Sequence, residues 1–240
     1  MVRCLVAAFV LAVCAQAVAG APAQFEVVEQ FAARLSAGNV LRVRGVLSAE
    51  AVLVEHDVFV TVAVGPQVVA RLRAWIAEGA RLEVSFESAS AGGAVIVTRE
   101  QMWLDALQEH LLPLRSTTVY VVDGGRVHGI TRFLDADQRD ALMLEAVVGD
   151  WRRSVYVFSY RADGTYGIVQ SGRPWDSGEY SIEGGVMRVV SNEQAQACQA
   201  GDAGVWRLSF ADPDRHTLNL IEDMCVAREG PMLMLNRITE

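Results

Sequence analysis

The spacing of apolar residues predicts that the chain begins with helices and continues as strands. From Phe25 to Ala37, apolar residues recur at the spacing of one helix face, and Gly38 supplies a left-handed stop. A short second helix is predicted over 40–46. A third begins at Pro66, because proline suits the first position of a helix. The segment 51–64 between these helices is predicted to be strand.

After the third helix the apolar period changes from helical spacing to alternation. Residues 81–87 alternate apolar with polar or charged side chains, and a glycine turn leads to a further strand over 94–104. Strands over 116–122 and 126–134 are joined by Asp123-Gly124-Gly125, a hairpin signal because the turn requires positive φ angles. The pattern predicts an α+β fold in which three helices pack on a curved antiparallel sheet.

Beyond Trp151 no helical period returns. Turn signals at 161–164, 183–185 and 212–214 separate short alternating runs, and about eight strands of a sandwich or barrel are expected. The predicted organisation is a signal peptide at 1–23, an α+β cone domain at 24–135, a linker helix at 136–147 and an all-β barrel domain at 148–240.

Composition removes several classes of function. Apolar residues make up 52% of the chain, which is enough for a sizeable core. All 21 basic residues are arginine, so a phosphate-loop lysine and a Schiff-base lysine, including that of pyridoxal-phosphate enzymes, are excluded. The net charge of −8 argues against a nucleic-acid partner.

Residues 1–23 have the pattern of a secretory signal peptide. Arg3 is followed by an apolar stretch, Cys4–Ala15, that is shorter than the roughly 20 residues a membrane-spanning helix needs. Small residues permit cleavage after Ala19 or after Ala23, and the sequence does not choose between them. We therefore expect a secreted or periplasmic protein of bacterial type with no retained membrane span.

Cysteine usage agrees with export. Cys4 and Cys14 leave with the signal peptide, so Cys198 and Cys225 are the remaining pair in an oxidising compartment. We expect them to form a disulfide, which would stabilise the fold by roughly 3–4 kcal/mol in the chain-entropy model.

The first domain resembles a known family. Val27-Val28-Glu29-Gln30-Phe31-Ala32-Ala33-Arg34-Leu35-Ser36-Ala37-Gly38-Asn39, together with Leu47-Ser48-Ala49-Glu50-Ala51-Val52, is similar to the opening of SnoaL-like and ketosteroid-isomerase-like domains of the nuclear transport factor superfamily. The resemblance covers about 25–134 and implies a cone whose mouth holds an active site or an apolar cavity. Many members of that family lack chemistry, so the fold does not decide the function.

The steroid-isomerase branch of this family requires a carboxylate base and two oxyanion donors. The resemblance places Glu55 at the position of the base. It places Phe31 where the family has a tyrosine donor, and phenylalanine has no hydroxyl to donate. It places Thr118 close to the family's acidic donor, and threonine is not a strong acidic donor. Losing one such donor typically costs about 10²–10³ in rate. The resemblance therefore implies a cone that binds a ligand and does not isomerise steroids.

The second domain resembles lipocalin-like, or calycin-like, small barrels over about 148–238. Gly149-Asp150-Trp151 matches the family's Gly-x-Trp, and the resemblance implies that Arg237 lies across the indole of Trp151. Many bulky residues alternate toward the interior, which favours a filled barrel over a deep open calyx.

Candidate ligand contacts in the cone are aromatic, with one histidine. They are Phe31, Trp75, Phe86, Trp103, Tyr120 and His128. Core packing is the alternative for the tryptophans, and a polar outer face is the alternative for His128. No metal spacing, nucleotide-binding glycine cluster or hydrolase elbow is found, so neither a cofactor nor a metal is predicted.

Three functions follow as hypotheses. The first is non-catalytic binding of a small apolar ligand. The second is a cyclase, dehydratase or isomerase that uses Glu55 as general base, assisted by His128 or Tyr120. The third is a protein-interaction module in which the cone forms a homodimer.

Overall fold

A computed structural model describes residues 22–107, 109–228 and 232–239. The predicted signal peptide, apart from its last two residues, lies outside the described residues. The chain divides into two compact units, with the boundary between Asp135 and Ala136. Within the described ranges, no helix combines the length and the hydropathy needed to cross a membrane.

The first unit contains three α-helices and six strands. The helices are α1 (Phe25–Ser36), α2 (Val40–Arg44) and α3 (Pro66–Ala77). The strands are β1 (Leu47–His56), β2 (Val60–Val64), β3 (Arg81–Ala89), β4 (Val95–Trp103), β5 (Leu114–Asp123) and β6 (Arg126–Leu134). A 3₁₀ turn at Glu109–Leu111 precedes β5. The strands form one sheet in the order β2-β1-β6-β5-β4-β3.

The sheet is mixed, which corrects the expectation of a purely antiparallel sheet. β1 pairs with β6 in parallel, whereas the other neighbouring strands of this sheet pair antiparallel. The reason is the long connection between them. Helix α3 and the meander β3–β6 follow the β1–β2 hairpin, and the last strand returns beside β1 in the same direction. A parallel pair requires such a crossover, which a two-residue turn cannot supply.

The helices bury their apolar stripes in the core of this unit. α1 buries Val28, Phe31 and Leu35, and it ends before Gly38, whose φ of 68° is the predicted left-handed stop. α3 contributes Trp75, which is 3% exposed. The predicted α+β class is therefore correct for this unit.

The second unit is a helix followed by a closed barrel of eight strands. The helix is α4 (Ala136–Val147). The strands are β7 (Gly149–Arg153), β8 (Tyr156–Tyr160), β9 (Thr165–Gln170), β10 (Arg173–Glu183), β11 (Val186–Ser191), β12 (Ala203–Asp212), β13 (Arg215–Asp223) and β14 (Met232–Arg237). A 3₁₀ turn at Val226–Arg228 lies between the last two strands.

Every strand of the barrel pairs antiparallel with its neighbours in the sequence, and β14 closes the barrel onto β7. The connections therefore alternate between two ends. The β7–β8, β9–β10, β11–β12 and β13–β14 connections share one end, which we call the loop end. Helix α4 enters at the opposite end, which we call the helix end. There the Asp140 carboxylate accepts hydrogen bonds from the backbone N–H groups of Gly184 and Gly185.

A disulfide fixes the loop end. Cys198 in the β11–β12 connection is bonded to Cys225 in the β13–β14 connection, with their Cα atoms 5.4 Å apart. The predicted disulfide is therefore present, and it joins two loops that are 27 residues apart in sequence.

Candidate functional site

A cavity of about 90 Å³ lies inside the barrel, and six of its thirteen lining residues are aromatic. We call it the barrel cavity. Its lining residues are Arg153, Tyr156, Phe158, Tyr160, Tyr166, Ile168, Trp175, Val189, Trp206, Leu218, Ala227, Arg228 and Leu233. An eight-stranded barrel is just wide enough for side chains to fill it or for one small ligand. Here the interior is occupied in part, and a space remains.

The period-two pattern of the strands creates this aromatic wall. Tyr156, Phe158 and Tyr160 alternate along β8, so the three rings point to the same side of the strand. The rings pack edge to face with neighbouring strands. Tyr156 and Trp175 have centroids 5.3 Å apart, and Tyr160 and Tyr180 have centroids 5.2 Å apart. Such edge-to-face pairs are favourable and help to fix the orientation of the rings at the wall.

Tyr160 gives the cavity wall an available polar group. The residue is only 2% exposed, and its hydroxyl forms no hydrogen bond with any residue that the structure describes. Burial, followed by the neighbouring Tyr166 and Tyr180, raises the pKa of Tyr160 far above its ordinary value. The phenol is therefore neutral, and its hydroxyl is available at the cavity wall for a hydrogen bond with a ligand or water.

Arg228 closes part of the loop end with a buried network of hydrogen bonds. Its guanidinium donates to Asp176 Oδ2 at 3.0 Å, to Ser191 Oγ at 2.8 Å and to the Tyr166 hydroxyl at 3.1 Å. The same group also pairs with Asp223 at 3.0 Å. Two carboxylates therefore compensate one cation, and Arg228 has no charge left for an anionic ligand.

The helix end of the barrel is filled. Arg237 lies over Trp151, with its Cζ atom 4.1 Å from the ring centroid, which is the arrangement that the resemblance implied. Arg237 also donates to the backbone carbonyls of Ala146 and Val148. His216 packs edge to face on the same indole at 4.2 Å. The expectation of a filled interior is therefore met at this end and not at the loop end.

His216 is fully buried, and neither of its ring nitrogens has a hydrogen-bond partner within the described part of the chain. Burial, and secondarily the charge of Arg237, lowers the pKa of His216 to about 3. The imidazole is therefore neutral at physiological pH and serves as an aromatic core residue.

The predicted aromatic contacts of the first unit pack against protein side chains. The rings of Phe31 and Tyr120 are 5.9 Å apart, and both residues are buried. Trp75 lies between two guanidinium groups, with Arg71 at 5.8 Å and Arg132 at 5.7 Å from its centroid. All three predicted residues are therefore buried in the first unit, and Phe31 contacts Tyr120.

The other three predicted residues lie nearer the surface and are separate from that group. Phe86 packs on Phe25 with centroids 5.5 Å apart, and Trp103 lies under Arg81 at 5.8 Å. His128 is half-buried on β6. None of the six predicted residues lines the barrel cavity.

Glu55 is buried, but its carboxylate is already bound. Arg71 Nε donates to Oε2 at 2.7 Å, and Arg71 Nη2 donates to Oε1 at 3.1 Å. Such a two-point ion pair stabilises the charged carboxylate and occupies both of its oxygens. The ion pair with Arg71 therefore competes with any role of Glu55 as a base.

The sequence reasoning missed Glu100, which is 3% exposed on β4. Its carboxylate accepts hydrogen bonds from the hydroxyls of Tyr120 at 2.5 Å, Thr118 at 2.8 Å and Thr98 at 3.3 Å. Burial raises the pKa of Glu100, while these donors and the charge of Arg132 act in the opposite direction. The sequence pattern indicates that Glu100 is buried, because Glu100 alternates in phase with the apolar Ile96 and Met102 along β4.

Strand register aligns polar side chains across the same sheet face. Glu55 on β1 is opposite Arg132 on β6, which is opposite Thr118 on β5, which is opposite Thr98 on β4. We call these four residues, with Glu100, the polar row. Arg132 Nε donates to Ser116 Oγ, and its Nη2 atom is buried without a partner among the described residues. The row is enclosed by packed side chains such as Trp75.

No protein family and no curated protein matches the sequence. Solved structures align with about half of the chain. They include an epoxide hydrolase/cyclase-like enzyme of salinomycin pyran ring formation, at 15% identity and a TM-score of 0.41, covering 48% of this chain and 92% of that chain. An LEH-like epoxide hydrolase from M. tuberculosis aligns at 19% identity and a TM-score of 0.39, covering 51% and 90%.

An NTF2-like protein of unknown function from Cytophaga hutchinsonii aligns at 8% identity and a TM-score of 0.37, covering 50% of this chain and 95% of that chain. All three TM-scores are below 0.5. The strand order of the first unit, β2-β1-β6-β5-β4-β3, stands independently of these likenesses.

Proposed function

We propose that this protein binds a small, uncharged and largely apolar molecule in the barrel cavity, without catalysis. The observation that carries the proposal is the lining of the cavity by six aromatic residues, which are Tyr156, Phe158, Tyr160, Tyr166, Trp175 and Trp206. Concave apolar sites with few polar groups are typical of small-molecule binding.

The size and polarity of the cavity define the ligand. A dry apolar cavity of about 150 Å³ accepts benzene. The barrel cavity, at about 90 Å³, is smaller than that, so a single ring is the upper limit of what its walls can enclose and a short chain also fits. The Tyr160 hydroxyl supplies one hydrogen bond. Because Arg228 is compensated by Asp176 and Asp223, a carboxylate gains no ion pair there.

The chemistry of the lining supports binding without catalysis. The described lining residues include no histidine, cysteine or carboxylate, which are the usual general bases and nucleophiles. Tyr160 holds its proton at neutral pH because its pKa is raised. Arg228 is held by its own network.

The family assignments are part of this proposal. For the first unit, the similarity of residues 27–39 and the order of its helices and strands support a SnoaL-like domain. For the barrel, Gly149-Asp150-Trp151 with Arg237 over the indole supports a lipocalin-like domain. The disulfide fits an oxidising compartment, and we propose that the protein is exported, secreted or periplasmic.

The binding proposal is tested with three probes that differ in one group. Toluene, p-cresol and 4-methylbenzoate are titrated against the whole protein, and ligand-observed NMR reports binding. We expect p-cresol to bind most tightly, toluene less tightly and 4-methylbenzoate least. If none of the three binds, or if the carboxylate binds best, the proposed function is wrong.

A cavity-filling variant locates the site. Val189→Phe places a ring in the barrel cavity, and p-cresol binding should fall at least tenfold. Val157→Phe is the matched control, because Val157 alternates with the lining residues of β8 and faces the other side. Equal loss of binding in both variants would contradict the assignment of the site.

Two other functions remain as proposals with their own tests. The first is an enzyme that uses Glu55 as a base. The polar row, in which Arg132 Nη2 has no partner among the described residues, favours this function. Its test is turnover of a candidate substrate, which Glu55→Gln should abolish. A homodimer formed by the first unit requires a dimer in sedimentation equilibrium. A strict monomer at high concentration would remove that proposal.

A further inference from the structure

A groove of about 510 Å³ on the first unit is lined by three arginines. We call it the arginine groove. Its lining residues are Arg44, Leu47, Ser48, Ala49, Gly65, Pro66, Val69, Ala70, Arg73 and Arg126. The arginines come from α2, α3 and β6, so the tertiary fold brings them together from distant parts of the chain. None of the described lining residues is acidic.

The charges of these arginines are not compensated by the protein. Arg44 and Arg73 form no ion pair and no side-chain hydrogen bond with the described residues, and Arg126 makes one long hydrogen bond, of 3.4 Å, to the carbonyl of Leu47. Several other arginines have carboxylate partners, as Arg71 has in Glu55 and Arg228 has in Asp176, whereas isolated surface arginines such as Arg188 have no such partner among the described residues. Acidic residues outnumber basic ones by 29 to 21 in this chain. A groove lined by three arginines and by no acidic residue therefore differs in charge from the chain as a whole.

The walls of the groove favour a negatively charged occupant and leave room for it. Small residues, Ala49, Gly65 and Ala70, line the groove between the arginines. The Ser48 hydroxyl oxygen accepts a hydrogen bond from the backbone of Glu50, which leaves its proton available as a donor. Helix α3 begins at Pro66 beside the groove, and its positive end adds to the field of the arginines.

We propose that the arginine groove binds a phosphate or sulfate group. Guanidinium groups present planar pairs of donors that match these oxyanions, and three of them can neutralise a dianion. The volume exceeds that of an inorganic phosphate, so the groove also accommodates part of the molecule that carries the group. That molecule is either a free small molecule or a lipid headgroup. This site is distinct from the barrel cavity, and neither proposal depends on the other.

The test titrates the whole protein with pyrophosphate by calorimetry at low salt. Arg73→Gln and Arg126→Gln should each weaken binding about tenfold, because each removes a charged donor pair. Arg188→Gln is the matched control, since it removes the same charge from an exposed position on β11 of the barrel. It should change the affinity less than twofold. Absence of binding, or equal effects of Arg73→Gln and Arg188→Gln, would overturn the proposal.

A second variant separates a shaped site from general attraction to a positive surface. Ala70→Met narrows the groove from an exposed helix position without changing any charge, and it should weaken pyrophosphate at least threefold. An unchanged affinity in Ala70→Met would overturn the proposal of a groove site.

Vesicle sedimentation identifies the source of the anion. Phosphatidylcholine vesicles with and without phosphatidic acid are compared. Binding only to the phosphatidic acid vesicles, lost in Arg73→Gln, supports a lipid headgroup. Pyrophosphate binding without vesicle binding supports a free small molecule. If the protein does not bind pyrophosphate, and if Arg73→Gln leaves vesicle binding unchanged, neither a free small molecule nor a lipid headgroup occupies the arginine groove.

Discussion

The interiors of the two units differ in how they treat buried polar groups. In the first unit, Glu55 is bound by Arg71, and Glu100 is bound by three hydroxyls. The aromatic residues of the same core pack against one another and against guanidinium groups. In the barrel, the charged network is confined to the loop end, and an aromatic wall faces empty space beside it. Unpartnered polar atoms occur in both units, at Arg132 Nη2 and at the ring nitrogens of His216, but neither residue lines the barrel cavity. The Tyr160 hydroxyl does line it, so a ligand site depends on whether an available polar group faces free space.

The largest expected effect is in the barrel's charged network. Arg228→Met leaves Asp176 and Asp223 buried without their cation, and breaking a buried pair costs about 3–5 kcal/mol. Denaturant unfolding of the barrel should show this loss. Arg188→Met, an exposed arginine on the same barrel, should change stability by less than about 0.5 kcal/mol. Similar losses in both variants would contradict the structural role of the network.

Removal of the disulfide should have the next largest effect. The Cys198→Ser, Cys225→Ser double variant frees two loops at the loop end, and we expect a loss of about 3 kcal/mol. Unfolding of the oxidised and reduced wild type gives the control, since reduction should reproduce the loss. A double variant as stable as the oxidised protein would show that other contacts hold the loop end.

Two tyrosine variants compare the units directly. Tyr120→Phe removes a donor from the buried Glu100 and should cost about 1–3 kcal/mol. Tyr160→Phe removes a hydroxyl that has no described partner and should change stability by less than about 0.5 kcal/mol, while weakening p-cresol about tenfold relative to toluene. Reversed effects on stability would contradict the contrast between the two interiors.

The smallest expected effect is a pH dependence with opposite signs at two buried groups, His216 of the barrel and Glu100 of the first unit. The pKa of His216 is lowered from 6.5 to about 3 in the folded barrel, so the unfolded state binds more protons between these values. The barrel should therefore lose stability as the pH falls below 6.5, by about 1 kcal/mol between pH 7 and 5.5.

In the first unit, Glu100 should contribute in the other direction, whereas burial lowers the pKa of His56 and gives that residue the same sign as His216. Burial raises the pKa of Glu100, so the contribution of this group is present at low pH and is lost as the pH rises. Unfolding at several pH values, with His216→Phe as the control that removes the acid sensitivity of the barrel, checks both signs. If acid destabilises the His216→Phe barrel as much as the wild-type barrel, groups other than His216 cause the loss of stability at low pH.

Sequence periodicity predicted much of the fold because it reports which face of an element is buried. It identified the helix that ends before Gly38, the hairpin at Asp123-Gly124-Gly125 and the eight short strands after Trp151. It did not predict the parallel β1–β6 pair, because alternation is the same in parallel and antiparallel strands. The position of Glu100 was readable from its phase along β4, but its three hydroxyl partners were not.

Local chemistry thus determined the classes of element and the cysteine pair, while the Trp151–Arg237 contact was implied by the resemblance to lipocalin-like barrels. The tertiary structure alone decided that Glu55 is bound to Arg71, that three arginines share one groove and that the free space lies in the barrel. The physical reason is that strand register and barrel closure bring together residues far apart in sequence. Whether a buried polar group finds a partner, and whether rings fill the space between strands, depends on those distant neighbours.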